Sequence, residues 1–142
     1  MPSKRKPKPG YLVFISHSSK DKWIARQAAR LIETAGRKQG IRVFLDEKDI
    51  EGGQSISKTI LANLRACDEL LVLLTRDSVG RPWVLVEIGG ALALEKHLVA
   101  IVNHVNHAEI PDAIAGCLAI DLNDFDTYLE QVINRAKKMK AL

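Results

Sequence analysis

Leu70-Leu-Val-Leu-Leu74 is apolar at all five positions, and the turn-like run Thr75 to Arg81 follows it. A strand with one wet face alternates polar and apolar residues, so an unbroken apolar run belongs to a strand covered on both faces, as at the centre of a parallel sheet. Outward from it, Tyr11-Leu-Val-Phe-Ile15, Ile41-Arg-Val-Phe-Leu45 and Leu98-Val-Ala-Ile-Val102 read as further strands, and Leu118-Ala-Ile-Asp-Leu122 as a short fifth. Helical spacing separates them. Ser18 or Ser19 caps a first helix on which Ile24, Ala28, Leu31, Ile32 and Ala35 recur, and Gly36 ends it. Ser55 caps a second helix to about Ala66, with Ile56, Ile60, Leu61 and Leu64 on its buried face. Pro82 suits the first position of a third, which runs to about Lys96. Asn103 to Gly116 is irregular, with one helical turn around Pro111 to Ile114, and Asn123 or Asp124 caps a final helix to about Lys140.

Apolar strands alternating with helical crossovers predict an α/β fold with helices on both faces of a five-stranded parallel sheet. The length suits a flavodoxin-like three-layer fold with strand order 2-1-3-4-5. Residues 1–10 are expected to form a basic flexible leader and 11–142 a single domain. There are no internal repeats.

The formal net charge of +4 conceals its distribution. Eight basic residues lie in the two ends, Lys4 to Lys8 and Arg135 to Lys140, with no acid among them. The rest carries 13 basic against 17 acidic residues, which argues against a nucleic-acid surface as its main business. No apolar run reaches the length of a membrane span, and the N-terminus lacks the apolar core of a signal peptide. Cys67 and Cys117 show no C-x-x-C spacing and read as small buried hydrophobes in a reducing, cytoplasmic setting.

In such sheets ligands bind outside the carboxyl ends of the strands. That edge carries Ser16-His17-Ser18, the polar loop Asp46 to Gln54, Thr75 to Arg81, and the start of the third helix. That helix holds Glu87, the single charged residue between Trp83 and Leu94. A carboxylate among apolar neighbours is costly unless it is paired or a ligand needs it. Trp83 lies four positions earlier and shares its face, so the two form an aromatic surface beside an acid, suited to a sugar or nucleotide. The alternative is a structural Glu bonded to a backbone amide, Arg65 or Arg81.

Other chemistries fit less well. A phosphoacceptor reading of Asp46 needs acids after the first strand, where Ser-His-Ser-Ser stands. His104-x-x-His107 with Glu109 lacks the second pair of a zinc site. Gly52-Gly53 lacks both the G-x-G-x-x-G pattern and a P-loop Lys. A lone carboxylate does suit one glycosidic reaction. Most glycosidases need a second carboxyl to protonate the leaving group. The cationic pyridinium of NAD+ leaves without that help, so one Glu could stabilise the oxocarbenium-like ribose or trap it.

Three segments then resemble a known family. Val13-Phe-Ile-Ser-His-Ser-Ser-Lys-Asp21, Val43-Phe-Leu-Asp-Glu47 with Asp49-Ile50 and Gly52-Gly53, and Ser78 with Trp83-x-x-x-Glu87 are similar to the boxes of Toll/interleukin-1 receptor (TIR) domains, the bacterial ones above all. The resemblance implies the TIR fold, with Glu87 as the catalytic carboxylate of NAD+-cleaving members and Trp83 beside it. It implies that Ser16, His17, Ser18 and Asp46 contact the nucleotide. Asp46 to Ser55 would be the BB loop, in which Asp49, Ile50, Gly52 and Gly53 mediate self-association. The Pro-Gly of many receptor loops is replaced by Glu51-Gly52-Gly53, and the Trp-Cys pair by Trp83-Val84; both departures point away from receptor adaptors.

The expected function is therefore NAD+ nucleosidase or cyclase action that yields nicotinamide and ADP-ribose or a cyclic ADP-ribose signal, as in bacterial anti-phage systems. NAD+ is the substrate, no metal or cofactor is expected, other TIR domains are the expected partners, and a separate effector would sense the product. The rival readings are a non-catalytic TIR–TIR interaction module and a nucleoside deoxyribosyltransferase-like enzyme.

Overall fold

The computed structural model describes residues 10–45, 56–114 and 116–141, and the side chains of 56–59 also lie outside the description. Five strands, β1 (Tyr11–Ser16), β2 (Ile41–Leu45), β3 (Glu69–Leu74), β4 (His97–Val102) and β5 (Leu118–Asp121), form one sheet in the order β2-β1-β3-β4-β5. All four pairings are parallel. This is the expected flavodoxin-like order. β3 is buried at all six positions, which explains its lack of alternation.

Helices α1 (Lys22–Ala35) and α4 (Phe125–Lys140) cover one face, and α2 (Ile56–Ala66) and α3 (Pro82–Ala93) the other. Because strand side chains alternate between faces, Val13, Ile15, Leu71 and Leu73 pack with α1 and α4. Phe14, Leu70, Val72 and Leu74 pack with α2 and α3. Gly36 closes α1 through a 2.9 Å bond from its N–H to the Ile32 carbonyl. A Cβ there would stand 2.3 Å from Ile41 Cδ1, so the approach of β2 requires glycine.

Several boundaries differ from the sequence reading. α3 stops at Ala93 rather than Lys96, because Glu95 turns left-handed (φ 56°) and the Lys96 N–H bonds back to the Ala91 carbonyl. Leu122 belongs to a 3-10 turn, not to β5. Asp121 caps that turn by accepting from the Asn123 N–H at 2.8 Å. β1 and β3 gain polar ends, Ser16 and Glu69. Leu61 is 37% exposed, so α2 buries a narrower face than its apolar spacing suggested. Cys67 is buried and Cys117 half-buried, both free thiols. The leader up to residue 9, the Ser55 cap and the Ile56 side chain fall outside the described residues. Among the described residues no helix is long and apolar enough to cross a membrane.

Glu69 is the first residue of β3 and fully buried. Its carboxylate accepts hydrogen bonds from Tyr11 Oη (2.7 Å), Tyr128 Oη (2.6 Å) and the Arg135 guanidinium (2.8 and 3.1 Å). A buried charge is tolerable when a counter-charge and donors surround it, and here β1, β3 and α4 are tied at the amino end of the sheet. Burial, then the Glu69 charge, pushes both tyrosines well above the ordinary phenol range.

Candidate active site

The carboxyl ends of β1 and β3 meet where the strand order reverses, since chain connections leave these neighbours toward opposite edges. Pro82 opens α3 at this edge, and Glu87 lies one turn and a half further in. Val84, Ile88 and Ala91 of the same helix are buried, so the face carrying Glu87 points into the protein, and Glu87 is 0% exposed. Ser16, at the end of β1, donates from Oγ to Glu87 Oε1 at 2.7 Å. Of the partners weighed from sequence, Arg81 directs its Nε to the Asp77 carbonyl instead (3.0 Å). A hydroxyl that holds one carboxylate oxygen fixes the orientation of the side chain.

His17 and Ser18 follow Ser16 and are both buried. Ser18 Oγ accepts from the Lys20 N–H at 3.2 Å and so caps the 3-10 turn Ser19–Asp21 that leads into α1. Trp83 is partly buried against the α2/α3 core, one helical turn before Glu87. The structure thus brings Ser16 onto Glu87 and sets Trp83 on the same helix. Asp46, Asp49, Ile50, Gly52 and Gly53 lie outside the described residues.

A second polar cluster stands at this edge, where the sequence places Thr75 to Arg81; the bond that ties this segment to Asp21 was not apparent from sequence. Thr75 Oγ1 donates to the buried Asp21 carboxylate at 2.6 Å. Ser78 Oγ accepts from the Thr75 N–H (2.8 Å) and donates to the Leu73 carbonyl (2.7 Å). Asp21, Thr75, Arg76, Asp77, Asn103 and His104 line a cavity of about 360 Å³. Glu87 and Ser16 do not line it. Ser78, quoted from the third box, shapes the turn before α3. Among the described residues no cluster of three or more His, Cys, Asp or Glu could hold a metal. His104, in the left-handed region (φ 56°), lines the cavity, and His107 sits in a separate 3-10 turn.

A flavodoxin-like sheet with a hydroxyl-held carboxylate buried at the switch point defines the class: an α/β domain whose polar groups converge where such folds bind ligands. The TIR domain family matches residues 13–133, and the chain belongs to that family. It is 31% identical over 87 residues to the 2' cyclic ADP-D-ribose synthase AbTIR of Acinetobacter baumannii (strain 1295743), covering 61% of this chain and 31% of that protein. It is 28% identical over 108 residues to the 2' cyclic ADP-D-ribose synthase BtTIR of Bacteroides thetaiotaomicron, covering 76% and 37%. The chain thus spans about a third of the length of these curated relatives. Among solved structures, the TIR domain of the Toll-related receptor TRR-2 from Hydra magnipapillata superposes with a TM-score of 0.65 at 17% identity, over 90% of this chain and 97% of that one. That likeness speaks for the fold alone.

Proposed function

We propose that this chain breaks the nicotinamide–ribose bond of NAD+ and releases nicotinamide with ADP-ribose or a cyclic ADP-ribose. The observation that carries the reading is the pairing of buried Glu87 with Ser16 at the strand ends. Similarity to two bacterial cyclic ADP-ribose synthases supports it. Nicotinamide departs with the bonding electron pair and becomes neutral as it does so, hence one carboxylate suffices. Glu87 meets the positive charge growing on the ribose, and Ser16 holds its carboxylate in one orientation. Trp83 offers an apolar wall to the nicotinamide end of the substrate. His17, Ser18 and Asp46 line the nucleotide path in this reading. Water then attacks the anomeric carbon and gives up a proton, or a hydroxyl of the same molecule does so and closes a ring.

The reading also gives Asp49, Ile50, Gly52 and Gly53 a role in contact between copies. It places the activity in a bacterial cytoplasm, in signalling or anti-phage defence, with a separate effector protein sensing the product. The test is incubation with NAD+ at high protein concentration, followed by chromatography and mass analysis. Equimolar nicotinamide and an ADP-ribose species support the reading, and a product one water lighter than ADP-ribose identifies the cyclase. Intact NAD+ under assembling conditions overturns it.

A further inference from the structure

Two turns frame the candidate site. One follows Ser16 at the end of β1 and reaches Asp21; the other follows β3 from Thr75 and leads to Pro82, so it sets where α3 and Glu87 begin. Sheet pairing fixes the strands but not the turns beyond them. Ser16 pairs with Val72, and β3 runs on to Leu74 before Thr75.

Asp21 stands at the N-cap of α1, where an Asp side chain ordinarily accepts from a backbone N–H of the first helical turn. It makes no such bond. Its buried carboxylate instead accepts from Thr75 Oγ1 at 2.6 Å, across 54 positions of sequence. A local preference has given way to a contact between the two turns. Thr75 is committed as fully. Its Oγ1 also accepts from the Asp77 N–H at 3.2 Å, and its own N–H is held by Ser78 Oγ at 2.8 Å. Its carbonyl accepts from the N–H groups of Ser78 and Val79, both at 3.1 Å. Ser78 is fully buried and donates to the Leu73 carbonyl at 2.7 Å. Every polar group of Thr75 therefore holds one turn geometry. The Lys20–Asp77 ion pair links the same turns at 3.7 Å, but both partners are exposed and it contributes little.

We propose that Asp21 and Thr75 are positioning residues for Glu87, a buried clamp that fixes the separation of the two turns. Ser16 lies on the Asp21 side of the clamp and Glu87 on the Thr75 side, so drift of one turn against the other lengthens the 2.7 Å bond between them. The clamp acts through that bond and needs no contact with substrate. The proposal rests on Glu87 being the reacting carboxylate.

The test is a double-mutant cycle on the full chain, with kcat and KM from nicotinamide release and circular dichroism for the folded fraction. Thr75→Val keeps the shape and removes the hydroxyl. It should lower kcat about 10–100-fold per folded molecule with KM little changed. Thr75→Ser keeps the hydroxyl and should retain most of the rate. In a Ser16→Ala background, Thr75→Val should cost less than about threefold more, since the bond it protects is already gone. Losses that multiply in full, or a Thr75→Val variant with wild-type kcat, overturn the proposal. If Thr75→Val does not fold, Asp21→Asn takes its place in the cycle, and the same non-additivity is expected. A wild type that releases no nicotinamide sinks the reaction reading instead. The clamp is then judged by the same cycle in urea unfolding, where coupled losses support it and additive losses overturn it.

Discussion

Ser16 Oγ donates a 2.7 Å hydrogen bond to Glu87 Oε1, joining the last residue of β1 to the middle of α3 across 71 positions of sequence. Ser16→Ala removes a donor to a buried carboxylate while leaving the surrounding packing nearly unchanged. A hydrogen bond to a charged group contributes about 1.5–3 kcal/mol. Loss of orientation at a reacting group costs about 10–100-fold in rate. The expected result is a kcat lowered by about that factor with KM little changed, read by steady-state nicotinamide release. A purely structural Ser16 would instead lower the folded fraction and leave kcat per folded molecule intact.

At the other end of the sheet, Glu69 is enclosed by Tyr11, Tyr128 and Arg135. Glu69→Gln removes the counter-charge of the partly buried Arg135, and a hydrogen bond to a charged group contributes about 1.5–3 kcal/mol. Urea unfolding should show that loss. Nicotinamide release per folded molecule should stay at the wild-type value, since Glu69 opens β3 and the candidate site lies at the opposite strand ends.

The same cluster sets an alkaline limit. Tyr11 and Tyr128 both have phenol pKa values raised from about 10, first by burial and then by the Glu69 charge. A raised value means that the unfolded chain loses these protons first. The tyrosine contribution is therefore complete below pH about 10 and is lost as pH climbs from there toward the folded values. Tyr11→Phe with Tyr128→Phe should start less stable and show a shallower decline above that pH in denaturant midpoints.

Adjacent glycines on α3 should respond with opposite signs. A Cβ on Gly90 would lie 2.6 Å from Leu64 Cδ1, and the buried Leu64 has little room to yield. A Cβ on Gly89 meets nothing within 4 Å among the described residues. Gly89→Ala should stabilise by about 0.5–1 kcal/mol through helix propensity. Gly90→Ala should destabilise by about 1–3 kcal/mol through overpacking. Thermal melts of the two variants check the pair.

The sheet was legible because its strands are unbroken apolar runs and its crossovers have βαβ length. Strand order followed from topology rules, and Glu87 stood out as a lone acid in an apolar helix. What escaped were the partners. Ser16 ends a strand whose apolar run stops at Ile15, and nothing local links it to residue 87. Glu69 fell outside the apolar run that starts at Leu70, because a charge at a strand start carries no periodic signal, and its partners lie 58 to 66 residues away. α3 overran its end because Leu94 and Glu95 favour helix intrinsically, and the left-handed turn at Glu95 comes from the start of β4.

Glu87→Gln keeps the shape of the buried side chain and removes its charge. The most direct measurement is nicotinamide release from NAD+ by this variant and by the wild type, at matched concentrations of folded, equally assembled protein. The account predicts turnover by the wild type and at least a hundredfold loss in Glu87→Gln, about 2.7 kcal/mol of transition-state stabilisation. Equal turnover by the two proteins would contradict it and leave Glu87 as a structural partner of Ser16.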